Sequence, residues 1–148
     1  MRSVAGRRII AERGGVMSKL TDRLRNEFQN RDYRHAYADE YVNSHLATQI
    51  KVLREQRGWT QAQLAEKANM KQSRIALLEN VNYSSWSLTT LKRLAEVFDV
   101  PLTVSFSTFG NLLVDVEQFT RESLERGAGM RRPPNDGGLD CPPIFGRN

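Results

Sequence analysis

The sequence predicts a mainly α fold: a bundle of short helices, preceded by a helical arm and followed by one β-strand used in dimerisation. Three observations predict it. Between Ser44 and Asp99, apolar residues recur every three or four positions, and the runs are broken by residues that cap or stop helices. Upstream, Tyr33, Tyr37 and Tyr41 recur at i, i+4 and i+8 and so share one helix face, a stripe that packs in a core or an interface. Downstream, Leu102, Val104 and Phe106 alternate with Thr103, Ser105 and Ser107, the period of a half-buried strand.

In the arm, Thr21 suits the N-cap of a first helix and Asn30 or Asp32 that of a second. A helix is expected from Ser44, its cap, to Gln56, with Leu46, Ile50 and Leu53 inward and Gly58 as its stop. Thr60 caps the next, which buries Leu64, Ala65 and Ala68. Asn69 then stands where a left-handed backbone is needed and glycine is the usual choice. A third helix from Gln72 to Asn80 turns Ile75 and Leu78 inward. A polar loop carrying Tyr83 and Trp86 leads to a fourth helix near Ser87, with Leu88, Leu91, Leu94, Ala95 and Phe98 inward and Asp99 and Pro101 ending it. Leu102–Phe109 is the single expected strand, so its pairing partner is expected from a second copy of the chain. Residues 112–126 predict an amphipathic helix with Leu112, Leu113, Val116 and Phe119 on one side. The chain therefore divides into a disordered basic segment (1–16), a helical arm (17–43), a helical domain (44–99), a strand-helix segment for dimerisation (100–126) and a disordered Gly- and Pro-rich tail (127–148). Met17 follows Gly14-Gly15 and fits a start codon as well as residues 1–16 fit a basic arm.

Composition excludes several classes. No apolar run approaches the ~20 residues that span a bilayer, and the N-terminus lacks a signal-type apolar region, so no membrane partner and a cytoplasmic location are expected. The one cysteine, Cys141, cannot make an internal disulfide. His35 and His45 have no metal-ligand spacing, so no metal and no cofactor are implied. No nucleophile–base arrangement, Gly-rich phosphate loop or carboxylate pair points to an enzyme. The net charge of +5 and pI near 9.7 favour a polyanionic partner. The surplus sits on residues 44–99, with eight basic and five acidic groups, and on the two tails, whereas residues 100–126 carry two basic and four acidic groups.

The stretch Gln49–Asn80 contains Leu-Arg-x-x-Arg-Gly-x-Thr-Gln-x-x-Leu-Ala followed by Ile-x-x-Leu-Glu-Asn. Over Ser44–Phe98 it resembles the Xre family, the Cro/phage-repressor type of helix-turn-helix transcriptional regulators. The fold implied is a phage-repressor-like helix-turn-helix bundle, and the partner implied is double-stranded DNA. Gln72–Asn80 would be the recognition helix, its first turn short enough to enter a major groove about 12 Å wide. There Lys71, Gln72, Ser73 and Arg74 are the candidate contacts, and glutamine can bond adenine N6 and N7 bidentately. The resemblance implies that Gln72 reads a base, Gln61 bonds a phosphate, Ala76 faces the groove toward a thymine methyl, and Glu79 ties the recognition helix to the first through Arg54. Arg54, Arg57, Lys67, Lys92 and Arg93 otherwise read as solvated charges. Asn69 in the turn, Leu77 at a commonly polar position, and the aromatic Tyr83–Trp86 loop depart from the family pattern. They leave Leu77 and Trp86 open to contact with a partner chain or thymine methyls.

The function expected is a sequence-specific repressor binding a pseudo-palindromic operator as a homodimer, with Leu102, Val104 and Phe106 as the dimerisation residues. The alternative is the antitoxin of a type II toxin–antitoxin pair, resembling HigA-like antitoxins, which would hold a protein toxin and autoregulate its operon.

Overall fold

The computed structural model describes residues 19–128, and the expectations for residues 1–16, Met17 and residues 129–148 lie outside that range. Among the described residues all regular secondary structure is helical, in seven elements: α1 (residues 19–27), α2 (Arg31–Gln56), α3 (Gln61–Lys67), α4 (Gln72–Leu78), α5 (Leu88–Phe98), α6 (Phe109–Glu117) and α7 (Arg121–Leu124).

The longest element departs from the sequence reading. The expected break at Ser44 is absent: α2 runs unbroken for 26 residues from its N-cap Asn30, whose side chain accepts the Tyr33 amide at 3.1 Å. Ser44 lies inside it and donates its hydroxyl to the Tyr41 carbonyl at 3.1 Å, the usual behaviour of serine in a helix interior. Thr21 is likewise no cap. It is buried in α1 and donates to the Glu117 carboxylate of α6. At a rise of 1.5 Å per residue α2 is about 39 Å long, enough to serve two hydrophobic clusters.

Its C-terminal half belongs to the main core. Ile50 and Leu53 pack with Leu64, Ala65 and Ala68 of α3 and its cap, Ile75 and Leu78 of α4, and Leu91, Leu94 and Phe98 of α5. These are among the inward positions predicted from spacing; of the others, Leu46 and Ala95 are half-buried and Leu88 is exposed at the start of α5. Trp59 stacks on Phe98 with the rings 12° from parallel and 6.1 Å apart, flanked by Arg57 and Lys67. The α2 half near the arm packs with Leu24, Phe28 and Leu113, joined by Tyr37 and Phe109. The tyrosine stripe packs within this chain: Tyr37 meets Phe28 edge-on at 5.3 Å, and Tyr41 meets His45 and Phe119. Burial raises the Tyr37 phenol, and burial together with Asp115 pushes Tyr41 up to about 12.

Three of the helix ends around the main core use a left-handed residue, and the α4–α5 connection uses none. Gly58 (φ 68°), Asn69 (φ 50°) and Asp99 (φ 55°) end α2, α3 and α5. The bonds at Asn69 are representative: its amide reaches Glu66 O at 3.1 Å and the Met70 amide reaches Ala65 O at 2.8 Å, closing the α3–α4 turn.

The expected C-terminal β-strand is not formed. Among the described residues there is no strand, and residues 100–108 have no regular secondary structure. Alternation supplies two faces but no ladder, and an unpaired segment cannot satisfy its amides as a strand does. Leu102 is half-buried against the core, but Val104 is 68% exposed and Phe106 fully so. The helix expected over 112–126 is also two, because a Thr120–Ser123 capping box opens α7 anew after α6 ends.

Candidate DNA-binding face

The helix-turn-helix is α3, the Ala68–Lys71 turn and α4. Thr60 starts it with a reciprocal box: its hydroxyl accepts the Gln63 amide at 3.2 Å, and the Gln63 side chain accepts the Thr60 amide at 2.8 Å. The alanines at 65 and 68 leave room for the α3–α4 crossing, and both are buried.

What orients the pair is a polar hub at Glu79. Its side chain is 4% exposed and accepts Arg54 Nε at 2.5 Å and Arg54 Nη2 at 3.0 Å, so α4 is bolted to α2 by a two-pronged ion pair. The carboxylate also accepts Gln61 Nε2 at 3.1 Å, drawing in the start of α3. Arg54 Nη1 donates onward to the Trp59 carbonyl at 2.7 Å. The hydrogen bond to Glu79 holds Arg54 still more firmly protonated than usual. The Arg54–Glu79 tie was legible in the sequence through resemblance; the engagement of Gln61 was not.

With its back fixed, α4 turns its opposite face to solvent. Lys71, Gln72, Ser73 and Ala76 are exposed side by side at its start, and Arg74 is half-buried beside them. Gln61 lies at the N-terminus of α3, half-buried, its amide nitrogen turned toward Glu79. The six candidate contacts thus lie along the helix-turn-helix, whereas Leu102, Val104 and Phe106 lie in the segment after α5.

The loop before α5 is anchored inward. Arg74 lies over the Tyr83 ring at 5.3 Å, Tyr83 meets Trp86 edge-on at 4.9 Å, and Trp86 Nε1 donates to Asn43 Oδ1 of α2 at 2.9 Å. Trp86 is therefore a packing residue, while Leu77 remains 48% exposed on α4. Beside Leu77 a surface groove opens between α4 and α5. Lys71, Ser73, Arg74 and Leu77 line one side, and Thr90 and Arg93 the other. Sequence reasoning left Arg93 among the solvated charges. The signal that could have found it is the Thr90–Arg93 spacing, one helical turn on the α5 face toward α4.

The helix-turn-helix family model matches residues 50–104. Antitoxin HipB of Escherichia coli strain K12 is 36% identical over 86 residues, covering 58% of this chain and 86% of that protein. The chain belongs to the Xre/Cro-type helix-turn-helix family. Antitoxin HipB of Escherichia coli O6:H1 strain CFT073 is 38% identical over 64 residues, covering 43% of this chain and 67% of that protein. No solved structure matches the chain significantly. A DNA-binding domain of this family fits a transcriptional regulator, as read from the sequence. Among the described residues no helix is long and apolar enough to cross a membrane.

Proposed function

We propose that the chain is a transcriptional repressor that binds a pseudo-palindromic operator as a homodimer, with the first turn of α4 in the major groove. The observation that carries this is the hub at Glu79, which fixes α3 and α4 on α2 and leaves Lys71, Gln72 and Ser73 facing outward. Gln72 reads a base, Ser73 assists, Ala76 meets a thymine methyl, and Lys71 and Arg74 contact phosphate or guanine. Gln61 keeps one amide hydrogen on Glu79 and offers the other to a backbone phosphate. Two copies place two recognition helices about one helical turn, ~10 bp, apart. Exposed Val104 and Phe106, with Leu102 at their root, supply apolar surface for the second copy. Selection of bound fragments from the host genome tests the reading. Enriched inverted repeats with half-sites one turn apart support it, and recovery without sequence preference sinks it.

The similarity to two HipB antitoxins favours a second reading, in which the same DNA-binding domain belongs to an antitoxin that also holds a protein toxin. Co-expression with the product of a neighbouring reading frame distinguishes them: a stable complex that relieves growth arrest supports the antitoxin, and no interaction leaves the repressor alone.

A further inference from the structure

Beyond the base-reading turn, we infer that the groove between α4 and α5 is a clamp for a DNA backbone phosphate, closed by Thr90 and Arg93. This rests on the DNA-binding reading above but assigns a contact to α5, an element that reading does not use.

The groove is built for an oxyanion. Lys71, Arg74 and Arg93 line it with the side chains of Ser73 and Thr90 and the apolar Met70 and Leu77, and no carboxylate is among its lining residues. The ion pairs of the described residues lie elsewhere, at Arg25, Arg54 and Arg121. Three like charges around one depression repel each other, and an anion seated among them relieves that repulsion. Guanidinium, ammonium and hydroxyl groups lining one groove from α4 and α5 are the donor types that a phosphate accepts. Arg74 is favoured in this placement, because its guanidinium lies over the Tyr83 ring at 5.3 Å and Tyr83 meets Trp86 edge-on.

Position selects the source of the phosphate. The groove shares Lys71 and Ser73 with the turn that faces outward, so it opens beside that turn. When the turn lies in the major groove, the flanking wall is the sugar–phosphate backbone. Leu77, exposed in the same depression, then lies against deoxyribose. Arg93 therefore fixes the depth of α4 without reading sequence. Its neighbour Lys92 is exposed and does not line the groove, which makes it the internal control.

The test compares Arg93→Ala and Lys92→Ala with the wild-type chain on a selected operator and on a scrambled duplex, by fluorescence anisotropy across a salt series. Both positions are exposed, and thermal melting checks that each variant is folded. Arg93→Ala is expected to weaken both duplexes by the same factor, on the order of tenfold, and to reduce the salt slope by about one per half-site. Ethylation of single phosphates should block the wild type at one position flanking each half-site, and Arg93→Ala should lose sensitivity there. The clamp is overturned if Arg93→Ala leaves the slope unchanged, if Lys92→Ala shifts it equally, or if only the operator is weakened. A wild-type chain that binds neither duplex overturns the DNA-binding reading itself.

Discussion

Replacing Glu79 by alanine should cost about 3 kcal/mol of folding stability, and the structure sets that figure. The carboxylate is 4% exposed and accepts three donors, two from Arg54 and one from Gln61. Its loss leaves the Arg54 guanidinium, 12% exposed, with the Trp59 carbonyl at 2.7 Å and only a long contact to Glu55 at 3.8 Å. Breaking a buried pair from one side costs ~3–5 kcal/mol, and the residual Trp59 and Glu55 contacts favour the lower end. For a domain stable by ~5–15 kcal/mol that is a large share. Urea unfolding followed by the fluorescence of Trp59 and Trp86 measures it. Glu79→Gln keeps the shape and one acceptor oxygen and should lose about half as much. The double replacement Arg54→Met with Glu79→Leu should recover most of the loss, because an apolar pair of similar volume leaves no stranded charge. A loss below about 1 kcal/mol for Glu79→Ala, or a double variant as weak as the two single changes summed, would show that the hub does not hold the motif together.

Other perturbations separate the remaining roles. Gln72→Ala should lose preference at one base pair, worth ~1–3 kcal/mol in competition binding, without loss of stability. Gln61→Ala should weaken all duplexes evenly and also cost about 1 kcal/mol of stability, since its amide bonds Glu79. Equal binding by Gln72→Ala and wild type would place the reading turn elsewhere. His45 sits among Tyr41 and Phe119, and burial lowers its pKa from 6.5, reinforced by Arg126 and opposed by Asp115. The unfolded chain then binds the proton more readily, so stability should fall as pH drops below about 6.5. His45→Gln should flatten that slope in urea melts at pH 5 and pH 7, and an unchanged slope would assign it to other groups. If the proposed dimer forms in the free protein, Val104→Asp with Phe106→Asp should convert it to monomers by light scattering, and a persistent dimer would move the interface elsewhere.

The main core was legible because its signals are local. Spacing picked Leu64, Ile75, Leu78, Leu91, Leu94 and Phe98, and Gly58, Asn69 and Asp99 marked the turns. What failed needed knowledge of partners. Ser44 looks like a cap, but Asn43 and Ser44 continue a helix whose neighbours on both sides already favour it, and Trp86 needs Asn43 there as an acceptor. Leu102–Phe106 has the rhythm of a strand, but rhythm does not provide the second edge. Gln61 was placed correctly at the start of α3, yet its bond to Glu79 spans eighteen residues and follows from tertiary packing alone. The groove at Arg93 was missed for a related reason: spacing puts Thr90 and Arg93 on one face of α5, but that this face meets α4 follows from tertiary packing.

The segment between α5 and α6 shows how these failures bear on assembly. It is held at both ends. Leu102 packs on the main core, and Phe109 and Leu113 dock on Phe28, in the α1–α2 turn, and on Tyr37 in the N-terminal half of α2. Beyond α6 the chain returns to α2 again: Arg121 pairs with Glu55 at 2.9 Å, Gln49 donates to the Leu124 carbonyl at 3.3 Å, and the Arg126 amide reaches Gln56 at 3.1 Å. Val104 and Phe106 are therefore presented from a span with fixed ends, which lowers the ordering cost of a partner. Fully burying two such side chains yields ~1.5–3 kcal/mol each, so a symmetric pair of copies gains ~6–12 kcal/mol. Association costs ~4–15 kcal/mol, so these four side chains alone bring a dimer only to the margin. A stable repressor dimer then requires further apolar surface beside them, and a dimer that closes only on the operator requires none. The two cases differ in where cooperativity appears, in the protein alone or only across two half-sites.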